Sequence, residues 1–370
     1  MIRVLIVDDS VVFRTQIAAA VGRCKEIEVA GTAATGSIAL QRLTQLQVDV
    51  VTLDMEMPEM NGIDVLREIR ARKIPVKVII FSSQTQRGAE AALLALREGA
   101  DDVVAKPSGE GMTIETAGNA IAEALNPKIL QFSRAQPLPP GGGSTQSIST
   151  PKASGVVPPA SVVATNQKRK ELGQMKWSAL VIGSSTGGPA ALERIFKTIT
   201  APVSIPIFLV QHMPPVFTQI LAKRIQEISG IPAGEAKHGE VIVPNRLYVA
   251  PGDYHMVLDK SSGSPQLLLN QEPQRNSVRP AVDSLFESAA TIYGSGCLGV
   301  VLTGMGEDGW IGAKAIRAVG GGVLIQDRES SVVFGMPGAV FNGGDYDQIG
   351  DLTRIEMLLR QLTRVPGGSV

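Results

Sequence analysis

Two sets of residues in this sequence carry groups at spacings suited to covalent chemistry. The first is Gly183–Ser184–Ser185–Thr186–Gly187, which fits G-x-S-x-G and stands between an apolar run and a segment of helical period. Glycines on either side permit a sharp turn that pushes the Ser185 hydroxyl outward, and the helix after it offers free backbone N–H groups to an oxyanion. A serine nucleophile needs a base, and the chain has three histidines. His212 ends the apolar run 205–210 and so reaches the same sheet edge as Ser185. His238, between Lys237 and Gly239, reads as a surface loop residue, and His255 fits a structural turn as well as a site. An acid must orient the imidazole. Asp308, after the turn Thr303–Gly304–Met305–Gly306, and Asp327, after the run 323–325, both qualify, and Asp308 equally suits a helix cap. Nucleotide binding fits poorly: the spacing is not G-x-G-x-x-G, and no Gly-Lys-Ser/Thr follows.

The second set is acidic. Asp8 and Asp9 follow one β-branched run, Asp54 ends another, Ser82 follows a third and Lys106 ends a fourth. In a parallel α/β sheet these positions meet outside the carboxyl ends of the strands. Three carboxylates there repel one another unless a divalent cation neutralises them, and hard oxygen ligands at an open edge suit Mg²⁺. Beside such a cation, Asp54 is placed as a nucleophile for a phosphoryl group, with Ser82 and Lys106 near enough to neutralise it. Taken singly, Asp9–Ser10 would only cap a helix and Lys106 would be a loop residue. Five such residues on one edge favour the phosphoryl site.

The elements that must position these groups alternate between strand and helix. Runs at 3–7, 28–32, 48–53, 76–81 and 102–105 predict buried parallel strands, and Ile63, Leu66 and Ile69 line one side of a helix between them. The texture returns at 179–182, 205–210, 298–302 and 323–325. Helical stripes there are Leu192, Ile195, Phe196 and Ile199; Phe217, Ile220, Leu221, Ile225 and Ile228; Val282, Leu285, Phe286, Ala289 and Ala290; and a last one with Ile355, Leu358, Leu359 and Leu362. An alternating stretch at 241–269 predicts an antiparallel hairpin appended to the second sheet. Between the two lies a stretch rich in Pro, Gly and Ser, with few large apolar residues to offset the ordering of its backbone. The expected organisation is therefore a doubly wound α/β domain at 1–126, a flexible linker at 127–176 and a second doubly wound parallel-sheet domain at 177–370. The cluster Lys168–Arg169–Lys170–Glu171 reads as the solvated end of that linker.

Composition excludes several classes. Lys and Arg total 35 and so do Asp and Glu, which gives no reason to expect nucleic acid or an anionic membrane as partner. The two cysteines, Cys24 and Cys297, are far apart and form neither a disulfide framework nor a zinc-ligand spacing. No apolar run approaches the ~18 residues of a membrane helix, and the start MIRVLIVDDS lacks the parts of a signal peptide, so a soluble cytoplasmic protein is expected.

The segments VDDS, LDMEMPEMNG and AKP resemble the receiver domains of two-component signalling. That resemblance implies a flavodoxin-like fold and phosphoryl transfer from a histidine kinase to Asp54, with Asp8, Asp9 and Asp54 on Mg²⁺ and Ser82 and Lys106 on the phosphoryl group. Val103 stands where many receivers carry an aromatic switch residue. GSSTGGP, QHMPPVFT, YVAPGDYHM, RPAVDSLFESAA and LTGMGEDG resemble the chemotaxis protein-glutamate methylesterases, a family of response regulators. It implies a Rossmann-like catalytic domain with Ser185 as nucleophile, His212 as general base, Asp308 as the orienting acid and the Met305 N–H in the oxyanion hole. The implied substrate is a glutamate methyl ester on a methyl-accepting chemotaxis receptor, hydrolysed with release of methanol and without a cofactor in the esterase domain. The same chemistry accepts receptor glutamines for deamidation.

Overall fold

The five apolar runs of the first domain pair as one parallel sheet. Its strands are β1 (Ile2–Val7), β2 (Ile27–Ala33), β3 (Val50–Leu53), β4 (Lys77–Ser82) and β5 (Asp102–Ala105), in the order β2-β1-β3-β4-β5. The structure is a computed structural model that describes residues 1–107, 113–133, 169–261 and 263–363. Five helices cover the sheet: α1 (Val11–Val21), α2 (Gly36–Gln45), α3 (Gly62–Ala71), α4 (Gln86–Arg97) and α5 (Ile114–Ser133). The apolar stripes of α2, α3 and α4 close one face, and those of α1 and α5 the other. Four of these helices start on a side-chain cap: Ser10, Thr35, Asn61 and Thr85 each accept a backbone N–H three residues on. The cap at the first helix is thus Ser10 alone, which leaves the Asp9 carboxylate free for other work. Pro127 lies inside α5, and residues 134–168 of the Pro/Gly-rich stretch lie outside the described residues.

The second domain is built on seven strands, β6 (Ala179–Ser184), β7 (Ile207–Gln211), β8 (Ala233–Glu235), β10 (Leu247–Val249), β13 (Cys297–Val301), β14 (Gly322–Gln326) and β15 (Gln348–Gly350). Their order is β15-β14-β13-β6-β7-β10-β8, and every neighbouring pair is parallel. The helices are α6 (Gly188–Thr198), α7 (Phe217–Ser229), α8 (Val282–Tyr293), α9 (Trp310–Ala318), α10 (Met336–Gly343) and α11 (Leu352–Thr363). A separate antiparallel sheet is formed by β9 (Glu240–Val241), β11 (His255–Asp259) and β12 (Gln266–Asn270).

Two expectations change here. The stretch 241–269 is not one hairpin: Leu247–Val249 is a fully buried strand of the main sheet, between β7 and β8. Tyr248 misled the alternation, because its ring stacks on Phe208 in the core while its hydroxyl accepts the Val243 N–H. The basic cluster is tied to the fold as well as solvated: Lys168 lies outside the described residues and Arg169 and Glu171 are exposed, but Arg169 and Lys170 make specific contacts. The Arg169 guanidinium stacks 4.0 Å above the Tyr346 ring, and the Lys170 ammonium donates to the carbonyls of Gly320 and Gly321 after α9. Cations at those carbonyls complement the negative end of the helix.

The domains are packed together. Arg97 on α4 pairs with Glu193 on α6 at 3.0 Å, and α4 also lies against α7. Among the described residues, no helix is long and apolar enough to cross a membrane.

Candidate active site

Strand register brings Ser185 and His212 to one sheet edge. Ser184 pairs with Gln211 across β6 and β7, so Ser185 and His212 are the next residues at the carboxyl ends of adjacent strands. Neighbouring strands lie ~4.8 Å apart, within reach of two side chains. The turn at Ser185 is pinned on both sides. Its N–H donates to Thr303 O at 3.0 Å, and its carbonyl accepts Gln211 Nε2 at 2.9 Å. The left-handed residue is Gly187, with φ of +78°, where a Cβ would also sit 2.6 Å from Val332 Cγ2. Gly304 is needed for a second reason: a Cβ there would lie 2.8 Å from the Ser185 Cβ.

Asp308 is the acid that meets the histidine. Its Oδ2 lies 2.8 Å from His212 Nε2 and also accepts the Val282 N–H at 2.7 Å. Its Oδ1 accepts the Asp283 N–H at 3.0 Å and Asn276 Nδ2 at 3.2 Å. Burial alone would push this carboxyl up, but the His212 bond, its charge and the two backbone N–H groups hold it below the usual carboxylate range. With Nε2 turned to Asp308, the nitrogen left for Ser185 is Nδ1. Among the described residues the Ser185 hydroxyl makes no hydrogen bond, and Ser185 is 8% exposed. The backbone N–H of Met305, the residue after the Gly304 that abuts Ser185, also has no acceptor among them.

The rival residues have other work. Asp327 accepts the N–H and hydroxyl of Ser330 in its own turn. His255 is buried: its Nδ1 accepts the Ala281 N–H at 3.2 Å, so Nε2 donates to Pro273 O at 3.2 Å. Burial holds this ring below the ordinary histidine range, which marks it as a neutral structural residue. His238 bonds the backbone of Leu269 in an exposed turn. Asp308 caps no helix of its own, contrary to the alternative left open by the sequence; it serves the start of α8. Sequence reasoning gave no role to Gln211, Asn276 or Asp283. Asp283 lies in the first turn of α8, and its partners, the Gly309 and Gly312 N–H groups, come from another element.

The acidic pocket assembles at the other sheet. Asp8, Asp9 and Asp54 present carboxylate oxygens within 4.8 Å of one another. Lys106 Nζ lies 2.8 Å from Asp54 Oδ2 and 2.9 Å from Asp8 Oδ2, and 4.7 Å above the Phe13 ring. Burial pulls the ammonium down, but the Asp54 and Asp8 bonds outweigh it and hold Lys106 above the ordinary lysine value. Burial likewise pushes Asp8 up against the pull of Lys106. Among the described residues the Lys106 ammonium is the only partner of Asp8 Oδ2, so a buried carboxylate oxygen faces this cluster with spare capacity. These residues fit a divalent cation. The Ser82 hydroxyl is fully buried and donates to Gly88 O at 2.9 Å, at the start of α4.

The serine site touches the first domain at the opposite end of β5 from the acidic pocket, since Asp102 starts that strand and Lys106 follows its end. The hydroxyl of Thr186, next to Ser185, donates to Asp102 on β5 of the first domain, and Lys128 Nζ pairs with the same carboxylate at 2.6 Å. Val332 and Val333, which lie beside Gly187 and Thr303, pack against the α1/α5 core of the first domain.

Residues 4–117 match the response regulator receiver domain, and residues 180–359 match the CheB methylesterase family. A protein-glutamate methylesterase/protein-glutamine glutaminase of Trichodesmium erythraeum is 42% identical, over 97% of this chain and 99% of that one. One of a Nocardioides species is 42% identical over 100% of this chain and 99% of its own. The crystal structure of the Thermotoga maritima CheB methylesterase catalytic domain is similar at 41% identity, covering 51% of this chain and 100% of that domain with a TM-score of 0.49. With relatives of this identity over almost its whole length, the chain belongs to the CheB methylesterase family and joins a receiver domain to a methylesterase domain.

Proposed function

We propose that this chain hydrolyses glutamate methyl esters on methyl-accepting chemotaxis receptors, under the control of phosphorylation at Asp54, in the cytoplasm. The observation that carries the reading is the His212–Asp308 pair at the strand end beside Ser185, in a chain whose relatives are named for this activity. His212 Nδ1 takes the Ser185 proton as Oγ attacks the γ-carbonyl carbon of the ester. The oxyanion falls to the Met305 N–H and the start of α6, where removal of one donor costs ~10²–10³ in kcat. His212 then returns the proton to the methoxy oxygen, methanol leaves, and water attacks the acyl-enzyme by the same route to free the glutamate. A glutamine side chain enters the same cycle with ammonia as the leaving group, which makes receptor glutamine deamidation the second activity.

In the receiver, Asp8, Asp9 and Asp54 would hold Mg²⁺, which supplies charge neutralisation for the phosphoryl group. Asp54 receives that group from a histidine kinase, and Ser82 and Lys106 contact it once it is there. The unphosphorylated receiver covers the esterase mouth. Supporting this, Thr186 is bonded to Asp102 and Ser185 is nearly enclosed. Phosphorylation shifts the population toward an uncovered site.

The test is methanol release from membranes carrying methylated receptors, with and without a small-molecule phosphodonor. Ser185→Ala should lower turnover ~10⁴-fold or more with the fold intact. Retention of more than a few per cent of wild-type turnover would overturn the assignment of the nucleophile.

A further inference from the structure

Two aspartates in this domain have exchanged their helices. Asp308 precedes α9 but accepts the Val282 and Asp283 N–H groups at the start of α8, at 2.7 and 3.0 Å. Asp283 belongs to α8 but accepts the Gly309 and Gly312 N–H groups at the start of α9, at 2.9 and 2.8 Å. The N-cap residues themselves, Ala281 and Gly309, supply no side-chain cap. Asp283 is 0% exposed and Asp308 1%, so two carboxylates lie side by side out of water. Asn276 joins them: its Nδ2 donates to Asp283 Oδ2 at 3.1 Å and to Asp308 Oδ1 at 3.2 Å. Asn276 holds a left-handed backbone at φ +51°, which asparagine and aspartate tolerate better than most residues.

A local cap on each helix would have satisfied the same N–H groups without bringing two anions together. The exchange gains orientation. Asp308 receives four N–H donors on two edges, so its carboxylate can neither turn nor withdraw from His212. Burial, and then the charge of Asp308, push Asp283 up to about 6, which is the strain of this arrangement. The bridging amide relieves it.

We propose that Asn276 and Asp283 are positioning residues of the esterase, which clamp Asp308 between the starts of α8 and α9 so that Oδ2 stays aimed at His212. This rests on the triad reading above. Asn276 is an exposed loop residue, so its substitution leaves the core packing intact.

The experiment measures kcat and KM for methanol release by full-length Asn276→Ala and Asn276→Asp, alongside Ser185→Ala and Asp308→Asn. Asn276→Ala should lower kcat ~10–100-fold with KM within about twofold, because a small misplacement of the acid is felt in the transition state. Asn276→Asp has the right shape but no donor, and it adds a third carboxylate, so it should fall below the alanine variant. An alanine variant within about twofold of wild-type kcat overturns the proposal. So does a loss carried by KM, which would make Asn276 a substrate contact, or an aspartate variant better than alanine, which would make it a filler of space. If Ser185→Ala and Asp308→Asn are also active, the triad reading itself fails and the clamp with it. If those two are inactive while both Asn276 variants are normal, only the clamp fails.

Discussion

Replacing Asp308 by asparagine should damage the enzyme twice. The carboxylate accepts four N–H groups, two on each oxygen, and all four partners are donors in the native arrangement. An asparagine must turn its NH₂ toward one pair. On the Oδ2 side it meets the Val282 N–H and forces His212 to present Nε2 as an acceptor, which moves the ring proton to Nδ1, where the base is needed. On the Oδ1 side it meets the Asp283 N–H and an Asn276 amide that is already committed to Asp283. Either way one buried backbone N–H at the start of α8 loses its acceptor, at ~1–3 kcal/mol. Turnover should fall ~10²–10⁴-fold from the wrong tautomer and the lost charge. The assays are urea unfolding of the purified variant and methanol release at saturating substrate. A variant with turnover within about fivefold of wild type would refute the role of Asp308. Unchanged stability beside lost turnover would leave the acid in place but refute the four-donor account.

Three further outcomes follow from the geometry. Mg²⁺ should stabilise the receiver through Asp8, Asp9 and Asp54 by ~2.7 kcal/mol at one hundred times its Kd, seen as a higher unfolding midpoint in a thermal melt, and Asp8→Asn should abolish most of that gain. His255 titrates near 6.5 when unfolded and lower when folded, so its contribution is complete above pH 6.5 and is lost as pH falls from there toward the folded value. The slope is at most ~1.4 kcal/mol per pH unit, and His255→Gln should flatten the difference in urea midpoint between pH 7.5 and 5.5, whereas an unchanged difference would remove His255 as its source. Arg97→Glu sets two like charges against each other at the interface with Glu193 and should raise methanol release by the unphosphorylated chain toward the phosphorylated level, within a ~5–150-fold range. No rise would remove that ion pair from the covering contact.

Much of this was legible before any fold was seen, for physical reasons that can be named. Continuous apolar runs gave the strands carrying Asp54, Ser185 and His212, because a strand covered on both faces has no polar side. Strand ends gave the sites, because parallel sheets collect ligands at their carboxyl edge. What the residues alone left open was the choice between Asp308 and Asp327, because both follow a strand and both could serve a turn. Only three-dimensional register separates a carboxylate that meets His212 from one that bonds Ser330. Tyr248 was misread because a buried phenol has an apolar ring and a polar tip, and periodicity sees only one of them. Asn276 and Asp283 were invisible in their roles because every bond they make crosses from one element to another, with no spacing in the chain to announce it.

The interface between the domains places a limit on control by covering. Among the described residues its polar ties are unequal, and the weakest is the 3.4 Å contact of the Thr186 hydroxyl with Gln131 Oε1. The Arg97–Glu193 pair has an arginine that is 43% exposed, so screening by water leaves it ~0–1 kcal/mol. The Thr186–Asp102 bond is buried, shares its acceptor oxygen with the Lys128 ammonium and falls in the ~1.5–3 kcal/mol range of hydrogen bonds made within an ion pair. Asp102 does not depend on it, since Lys128 Nζ and the Val103 N–H bond the same carboxylate whether or not Thr186 is there. Opening therefore leaves no buried anion unpaired, and the Thr186 hydroxyl can turn to water. These polar ties are of the same order as the ~1–3 kcal/mol that a typical allosteric event supplies, and the apolar packing of Val332 and Val333 on the first domain adds to what opening must overcome. In the covering model proposed above, withdrawal of the receiver would free the Thr186 hydroxyl beside Ser185; Asp102 starts the strand at whose other end Lys106 meets Asp54, so the signal must still travel the length of β5.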